Sequence, residues 1–132
     1  MKKKTIMAVS CVFSAAALWM SAAPADGIMT RENGTYIINT TKLASDVEGY
    51  EGTTPLKIYI KADKIEKIEA LQNDETPSYF AKVKKLLLVK WNGMTVAKAT
   101  AAEVDGVTGA TISSKAVKEN VRRGLDYYKK HK

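Results

Sequence analysis

The hydrophobic pattern indicates a β-hairpin near the middle of the chain. Leu56, Ile58 and Ile60 alternate with more polar residues, which is the period of a strand with one buried face. Residues 62–64 are typical of a turn, and residues 65–71 are the predicted returning strand. One half-buried hairpin therefore forms the centre of the predicted sheet.

The residues before this hairpin carry a weaker pattern. Residues 26–33 are a polar lead-in, whereas residues 35–39 are rich in β-forming side chains and predict a first strand. Residues 46–55 contain two glycines and a proline and predict a loop.

After the hairpin, apolar residues recur at helical spacing and predict a helix over residues 78–90. Pro77 suits the first turn of a helix, and Asn92 and Gly93 end the pattern. Residues 94–97 predict either another strand or a continuation of the helix. The positions expected to face the core are Phe80, Val83, Leu87 and Trp91.

A second main helix is predicted over residues 113–129, and it is amphipathic. Its apolar face consists of Val117, Val121, Leu125 and Tyr128. Strands that come before and between two main helices, with short connections, favour a single small α+β domain built on a mostly antiparallel sheet. The pattern leaves the strand order open.

The first 25 residues have the layout of a secretory signal. Lys2, Lys3 and Lys4 precede an apolar run over residues 6–23, and small residues follow, so we expect cleavage near Ala25 and export. Two alternatives stay open, because the run is just long enough to remain as a membrane anchor and because Cys11 resembles a lipidation site.

Charge and rare residues exclude several classes of function. Beyond residue 25 the chain has 18 basic and 14 acidic residues, with no basic run interleaved with aromatic side chains, so we expect no nucleic-acid partner. The single cysteine, Cys11, falls in the predicted signal, and the single histidine, His131, is next to last. Zinc sites, haem ligation and His-based catalytic triads are therefore not expected, and no metal site is predicted.

Residues 105–114 are the segment most suited to chemistry, since small and hydroxylated residues stand at the start of the last helix. Gly106 and Gly109 allow unusual backbone angles, and the first N–H groups of a helix favour a phosphate. Thr111 or Ser113 capping the helix is the competing interpretation. The segment lacks the Gly-Lys-Thr ending of a P-loop and the three-glycine spacing of a dinucleotide fold.

The segment resembles the flavinylation motif of the FMN-binding domain family, whose members include flavin-carrying components of the sodium-pumping NADH:quinone reductase and of the Rnf complex, as well as many small exported bacterial proteins. That motif is Asp, two variable residues, Ser or Thr, Gly, Ala, then Thr or Ser. The residues that match it in order are Asp105, Thr108, Gly109, Ala110 and Thr111. The resemblance implies that a flavin transferase moves FMN from FAD onto the Thr111 hydroxyl as a phosphoester.

The resemblance covers about residues 49–128 and includes an upstream Glu-Thr-Pro segment at Glu75, Thr76 and Pro77. In the family this segment lies against the isoalloxazine ring, so Glu75 and Thr76 are expected either to hydrogen-bond the ring edge or simply to start a helix. Ser78 replaces a glycine that is frequent in the family, which affects how closely the backbone approaches the ring. The predicted organisation is a signal peptide at 1–25, a lead-in and first strand at 26–48, and an FMN-binding domain at 49–132.

The remaining motif residues are assigned roles through the same resemblance. Thr108 and Ser114 are expected to hydrogen-bond the phosphate or the backbone. Asp105 is expected to hold the loop or be recognised by the transferase, with direct contact to the flavin as the remaining alternative. Tyr79 and Trp91 are expected either to stack on the flavin or to be ordinary core or interface aromatics.

The function expected from the resemblance is an electron carrier of the cell envelope, on its outer face or in the periplasm, with covalent FMN. Its expected partners are a flavin transferase for maturation and a membrane redox complex or other envelope electron carriers. A small flavoenzyme with its own substrate and a flavin-free binding module are the two rival interpretations. The carrier is favoured because about 107 mature residues leave little room for both flavin and substrate and no acid/base pair stands out.

Overall fold

The computed structural model describes residues 27–132, so the predicted signal peptide lies outside the described residues. Four strands form one antiparallel sheet whose spatial order follows the chain. The strands are β1 (Met29–Glu32), β2 (Thr35–Asn39), β3 (Leu56–Lys61) and β4 (Lys64–Ala70). The central hairpin predicted from the alternation at Leu56, Ile58 and Ile60 is thus present, and all three side chains are fully buried.

Strand β1 lies within residues 26–33, where the sequence pattern indicates only a polar lead-in. Asn33 and Gly34 connect it to β2 with positive φ angles of 50° and 84°, as a two-residue hairpin turn requires. β1 is an edge strand with mostly exposed side chains, so no alternation of apolar residues indicates it.

The helix predicted over residues 78–90 is present but irregular. It begins as α1 (Pro77–Lys82), continues through a π-helical turn (Val83–Leu87) and ends in a 3-10 turn (Leu88–Trp91). Its four predicted core residues are all buried. Residues 94–97, for which a strand and a helix were both open, lead into a short helix, α2 (Val96–Ala101).

The last helix, α3 (Thr111–His131), packs across the sheet, and its predicted apolar face is buried. Gly124 permits this packing, because a Cβ atom at this position would lie 2.5 Å from Cδ1 of Ile58. Asn120 is fully buried on the same face, where its side chain hydrogen-bonds Thr40, Thr54 and the carbonyl of Ala116. These contacts fix the position of α3, and with it the position of residues 105–114.

The predicted fold class is confirmed, since the described residues form one small α+β domain with an antiparallel sheet. Within residues 27–132, none of the helices combines the length and the apolar character that a membrane span needs.

Candidate functional site

A cavity of about 430 Å³ lies between the start of α1 and the start of α3. Its volume falls within the range of small-molecule sites in proteins. It opens to solvent, and its lining combines a buried carboxylate, small and hydroxylated residues of the 105–114 segment, and large exposed side chains. The lining residues are Tyr50, Glu75, Thr76, Tyr79, Gly109, Ala110, Thr111, Ile112 and Ser113.

The Glu75 carboxylate connects the three chain segments that form the cavity. It is only 6% exposed and accepts hydrogen bonds from the backbone N–H of Tyr50, at 3.0 Å, and from that of Glu51. It also accepts one from the buried Ser113 hydroxyl on α3. A buried carboxylate is stable only when its oxygens are hydrogen-bonded, and these three donors meet that requirement.

The backbone on both sides of Glu75 is shaped to allow these contacts. The Asn73 side chain accepts from the Glu75 N–H at 3.0 Å, which fixes the turn before α1. Gly49 lies so close to the carboxylate that a Cβ atom there would collide with Oε1 of Glu75. Glycine at position 49 therefore lets the loop of residues 46–55 approach Glu75 closely, whereas a larger residue there would displace the carboxylate.

Thr111 is the first residue of α3, and its side chain is exposed at the cavity. Ala110 occupies the N-cap position, and no side chain caps the helix. The Ser113 hydroxyl is directed to Glu75 instead, so neither residue suggested by the capping interpretation performs that role. Counting from the start of α3, Ser114 is the first residue whose backbone N–H has an acceptor among residues 27–132, and it donates to the Ala110 carbonyl. The N–H groups of residues 111–113 thus stay available at the positive end of a 21-residue helix.

The buried side chain of Ser114, which is 1% exposed, fixes the turn before α3. Its hydroxyl accepts from the Val107 N–H at 3.0 Å, and a Cβ atom at Gly106 would lie 3.0 Å from Cβ of Ser114. Gly109 has a φ angle of 87°, a conformation that L side chains rarely adopt. The small residues of the segment therefore determine the path by which the chain enters α3.

Three large side chains form the open walls of the cavity. Tyr50 is 68% exposed, Tyr79 is 55% exposed and Ile112 is 53% exposed. Exposed aromatic side chains at a cavity rim offer flat apolar surfaces for a planar ligand. Tyr79 is therefore a cavity residue, whereas Trp91, the other aromatic considered for stacking, is 3% exposed and belongs to the core.

The structure brings five of the eight predicted site residues together at the cavity: Glu75, Thr76, Gly109, Ala110 and Thr111. Asp105, Thr108 and Ser114 do not line it. Asp105 and Thr108 are exposed in the preceding turn, and the Lys90 ammonium donates to the Asp105 carbonyl at 3.1 Å. No group of three or more potential metal-ligating side chains occurs within residues 27–132.

Three lining residues were not predicted. Ser113 was considered only as a cap, Ile112 follows the motif threonine without a distinctive pattern, and Tyr50 is 25 residues from the carboxylate that binds its N–H. For Tyr50 the one available signal was Gly49 beside it, since a glycine in a loop can indicate a close approach of the backbone.

A comparison with known protein families agrees with the resemblance that the motif at residues 105–111 indicates. The model of the FMN-binding domain family matches residues 49–126, which is more than half of the chain. No curated protein and no solved structure matches the chain. The match includes all three segments that form the cavity, those at Tyr50, Glu75 and Thr111. This chain therefore belongs to the FMN-binding domain family, and its cofactor is FMN.

Proposed function

We propose that the chain is an exported protein that carries FMN as a phosphoester on Thr111 and relays electrons in the cell envelope. The observation that carries the proposal is that no side chain caps the N-terminus of α3. There the exposed Thr111 hydroxyl stands at the cavity beside backbone N–H groups that no side chain caps.

A phosphoester on Thr111 is chemically compatible with this helix start. The three N–H groups of residues 111–113 and the helix dipole favour an anionic phosphate. Attachment requires the Thr111 oxygen to bond the flavin-side phosphorus of FAD while the bond between the two phosphates breaks, so that AMP leaves and the hydroxyl proton is released. The transferase supplies the activation of this step, because the residues that line the cavity include no acid/base pair beside Thr111.

The cavity residues fit the flavin ring as well as its phosphate. Apolar surface for a planar ring is offered by the three walls, Tyr50, Tyr79 and Ile112. Glu75, which its three hydrogen-bond donors hold in place, shapes the floor between these walls. Thr76 lines the cavity with a partly exposed side chain that has no hydrogen bond to α1, so its hydroxyl can bond the ring edge. Bound FMN supplies the electron chemistry, and these residues supply orientation and partial exclusion of water.

Electron relay is favoured over an enzyme with its own substrate because the cavity is modest in size and opens to solvent. A ring held there presents an edge to a partner protein, and the cavity leaves little space for a separate substrate. Export is proposed from the signal-like residues 1–25.

The attachment site is tested by producing the full chain together with a flavin transferase and recording flavin fluorescence on a denaturing gel. Wild-type chain is expected to fluoresce and to gain the mass of FMN less one water. Thr111→Ala is expected to be dark, whereas Thr30→Ala, an exposed threonine on β1, keeps the signal and serves as the matched control. A fluorescent Thr111→Ala chain or a dark wild-type chain would refute the assignment.

The same preparations distinguish the rival functions. FMN that co-purifies but is released by denaturation indicates non-covalent binding, and absence of flavin indicates a binding module. Saturable turnover of one small reductant without a partner protein would replace the carrier with an enzyme. Mass analysis of protein from the native host tests export, since a soluble form that retains residues 1–25 contradicts cleavage.

A further inference from the structure

The helical segment from Pro77 to Trp91 has an exposed side with an unusual composition. Leu86 and Val89 are about half exposed, at 52% and 53%, although both are aliphatic. The segment also contains four lysines and no acidic residue. Lys82, Lys85, Leu86 and Val89 are all exposed and lie at helical spacing on one side of the segment, and we call them the lysine face.

The positive charge of the lysine face is not neutralised locally. Within residues 27–132, Lys82 and Lys85 take part in no ion pair. Arg122 and Arg123 on α3, by contrast, bond Glu119, and Lys130 bonds Asp126. The strand lysines Lys61 and Lys64 form no ion pair within the same residues either. A cluster of unpaired like charges costs stability through self-repulsion and attracts an oppositely charged surface.

The lysine face lies next to the cavity at its N-terminal end. Tyr79, one turn before Lys82, forms a wall of the cavity. At the other end the Lys90 ammonium bonds the Asp105 carbonyl, in the turn that leads to Thr111. A molecule seated on this face would therefore lie next to the ring-binding cavity.

We propose that the lysine face is the docking surface for an acidic protein that exchanges electrons with the bound FMN. The inference rests on the proposed function, because it assumes that the cavity holds a redox cofactor. Leu86 and Val89 provide a small apolar centre, and the lysines around it complement carboxylates on the partner, an arrangement that accelerates encounter. In the transfer itself the partner is oxidised and the FMN is reduced, or the reverse, with no further reactant.

An anionic membrane surface is the other candidate occupant, and the structure favours it less. A helix that lies in a membrane interface inserts a broad apolar face, but the broad apolar face of this segment is already buried in the domain core. The two aliphatic side chains that remain exposed are too few for stable insertion, whereas they suffice for the centre of a transient protein contact.

The experiment uses flavin-loaded chain and a reduced acidic flavodoxin as the probe. Stopped-flow measurement of electron transfer is expected to show a rate constant that falls steeply between about 20 mM and about 0.3 M salt, because salt screens charge attraction between surfaces. The double variant Lys82→Gln/Lys85→Gln is expected to react about fivefold more slowly at low salt. The control variant Lys61→Gln/Lys64→Gln removes the same charge from strands β3 and β4 and is expected to react at nearly the wild-type rate.

Two further readouts separate this inference from the proposed function. Dithionite, a small reductant, is expected to reduce all three proteins equally, which shows that the flavin site is intact. Flavin-free Thr111→Ala chain is expected to show flavodoxin-induced NMR shifts concentrated in residues 77–91, a result that does not depend on loading. Equal slowing of the two double variants would overturn the proposal, and so would NMR shifts located elsewhere. Lysine-dependent sedimentation with phosphatidylglycerol vesicles in place of flavodoxin binding would overturn it as well. A wild-type chain that cannot be loaded refutes the proposed function alone.

Discussion

Replacing Glu75 by glutamine tests whether one buried carboxylate holds the three walls of the candidate cavity together. The substitution keeps the shape of the side chain, but it removes the charge and replaces one acceptor oxygen with an NH₂ donor. In the native protein Oε2 accepts from the Glu51 N–H, while Oε1 accepts from the Tyr50 N–H and the Ser113 hydroxyl. With glutamine oxygen in the Oε1 position, two bonds survive without charge assistance and the Glu51 N–H faces another donor.

The expected loss of stability follows from these three bonds. Hydrogen bonds to a charged group contribute about 1.5–3 kcal/mol and neutral ones about 0.5–1.5 kcal/mol, so each surviving bond weakens by about 1 kcal/mol. An unsatisfied N–H costs about 1–3 kcal/mol, at the low end here because Glu51 is exposed to water. Removing the cost of burying a charge offsets part of this sum. We therefore expect Glu75→Gln to lower the free energy of unfolding by about 2 kcal/mol.

Urea unfolding of the flavin-free chain, followed by circular dichroism, measures this difference. About 2 kcal/mol corresponds to a decrease in Tm of roughly 8–16 °C for a domain near 100 residues. Glu51→Gln is the matched control, because it changes an exposed carboxylate in the same loop and leaves the backbone donor in place. A Glu75→Gln chain within about 0.5 kcal/mol of wild type, which is the range of ordinary surface substitutions, would refute the structural role of Glu75.

Three further substitutions probe the same framework. Gly49→Ala is expected to destabilise the chain by about 2 kcal/mol in urea unfolding, because its Cβ would displace the Glu75 carboxylate from its donors; an unchanged midpoint would show that the loop can adjust. Asn120→Ala is expected to cost about 3 kcal/mol in the same assay, since it removes the acceptor of the buried Thr40 hydroxyl and the donor to the buried Thr54 hydroxyl; Asn92→Ala, at an exposed position, is the control. Hydrogen bonds from Arg122 and then Arg123 lower the pKa of Glu119 from 4.5 to about 2. The stabilisation that ionised Glu119 provides is therefore complete above about pH 4.5 and is lost as the pH falls towards 2. Urea unfolding of Glu119→Gln should accordingly show a smaller decrease in the free energy of unfolding over that interval than the wild-type chain shows.

Periodic burial explains which parts of the fold could be predicted from the sequence. The faces of α3 and β3 repeat every 3.6 and every 2 residues, and each repeat places apolar side chains on the side that is buried. The antiparallel arrangement followed from short connections between strands. β1 escaped prediction because an edge strand with exposed side chains has no such repeat, although Asn33-Gly34 is a strong local sign of a hairpin.

The candidate site was predictable only where its residues are close in sequence. The 105–114 segment and the segment at Glu75 each have a local pattern, and five of the eight residues taken from them line the cavity. The contact between Glu75 and the amides of residues 50 and 51 spans about 25 residues and depends on backbone groups, which every residue has. No pattern of side chains encodes such a contact, so Tyr50 as a cavity wall became visible only in the folded chain.

The open shape of the cavity is consistent with a cofactor attached through the proposed phosphoester. Three exposed walls and one buried floor would hold a freely diffusing flavin weakly, because much of the ligand surface would stay in water. A covalent bond to Thr111 replaces that affinity with a high effective concentration of the ring at the cavity. The residues around the ring then need only to orient it, and a ring edge can remain accessible beside the lysine face. On this proposal, retention at Thr111 and orientation by the Glu75 cavity would be separate tasks, so that a domain with so small a site could both keep a flavin and expose it to a partner.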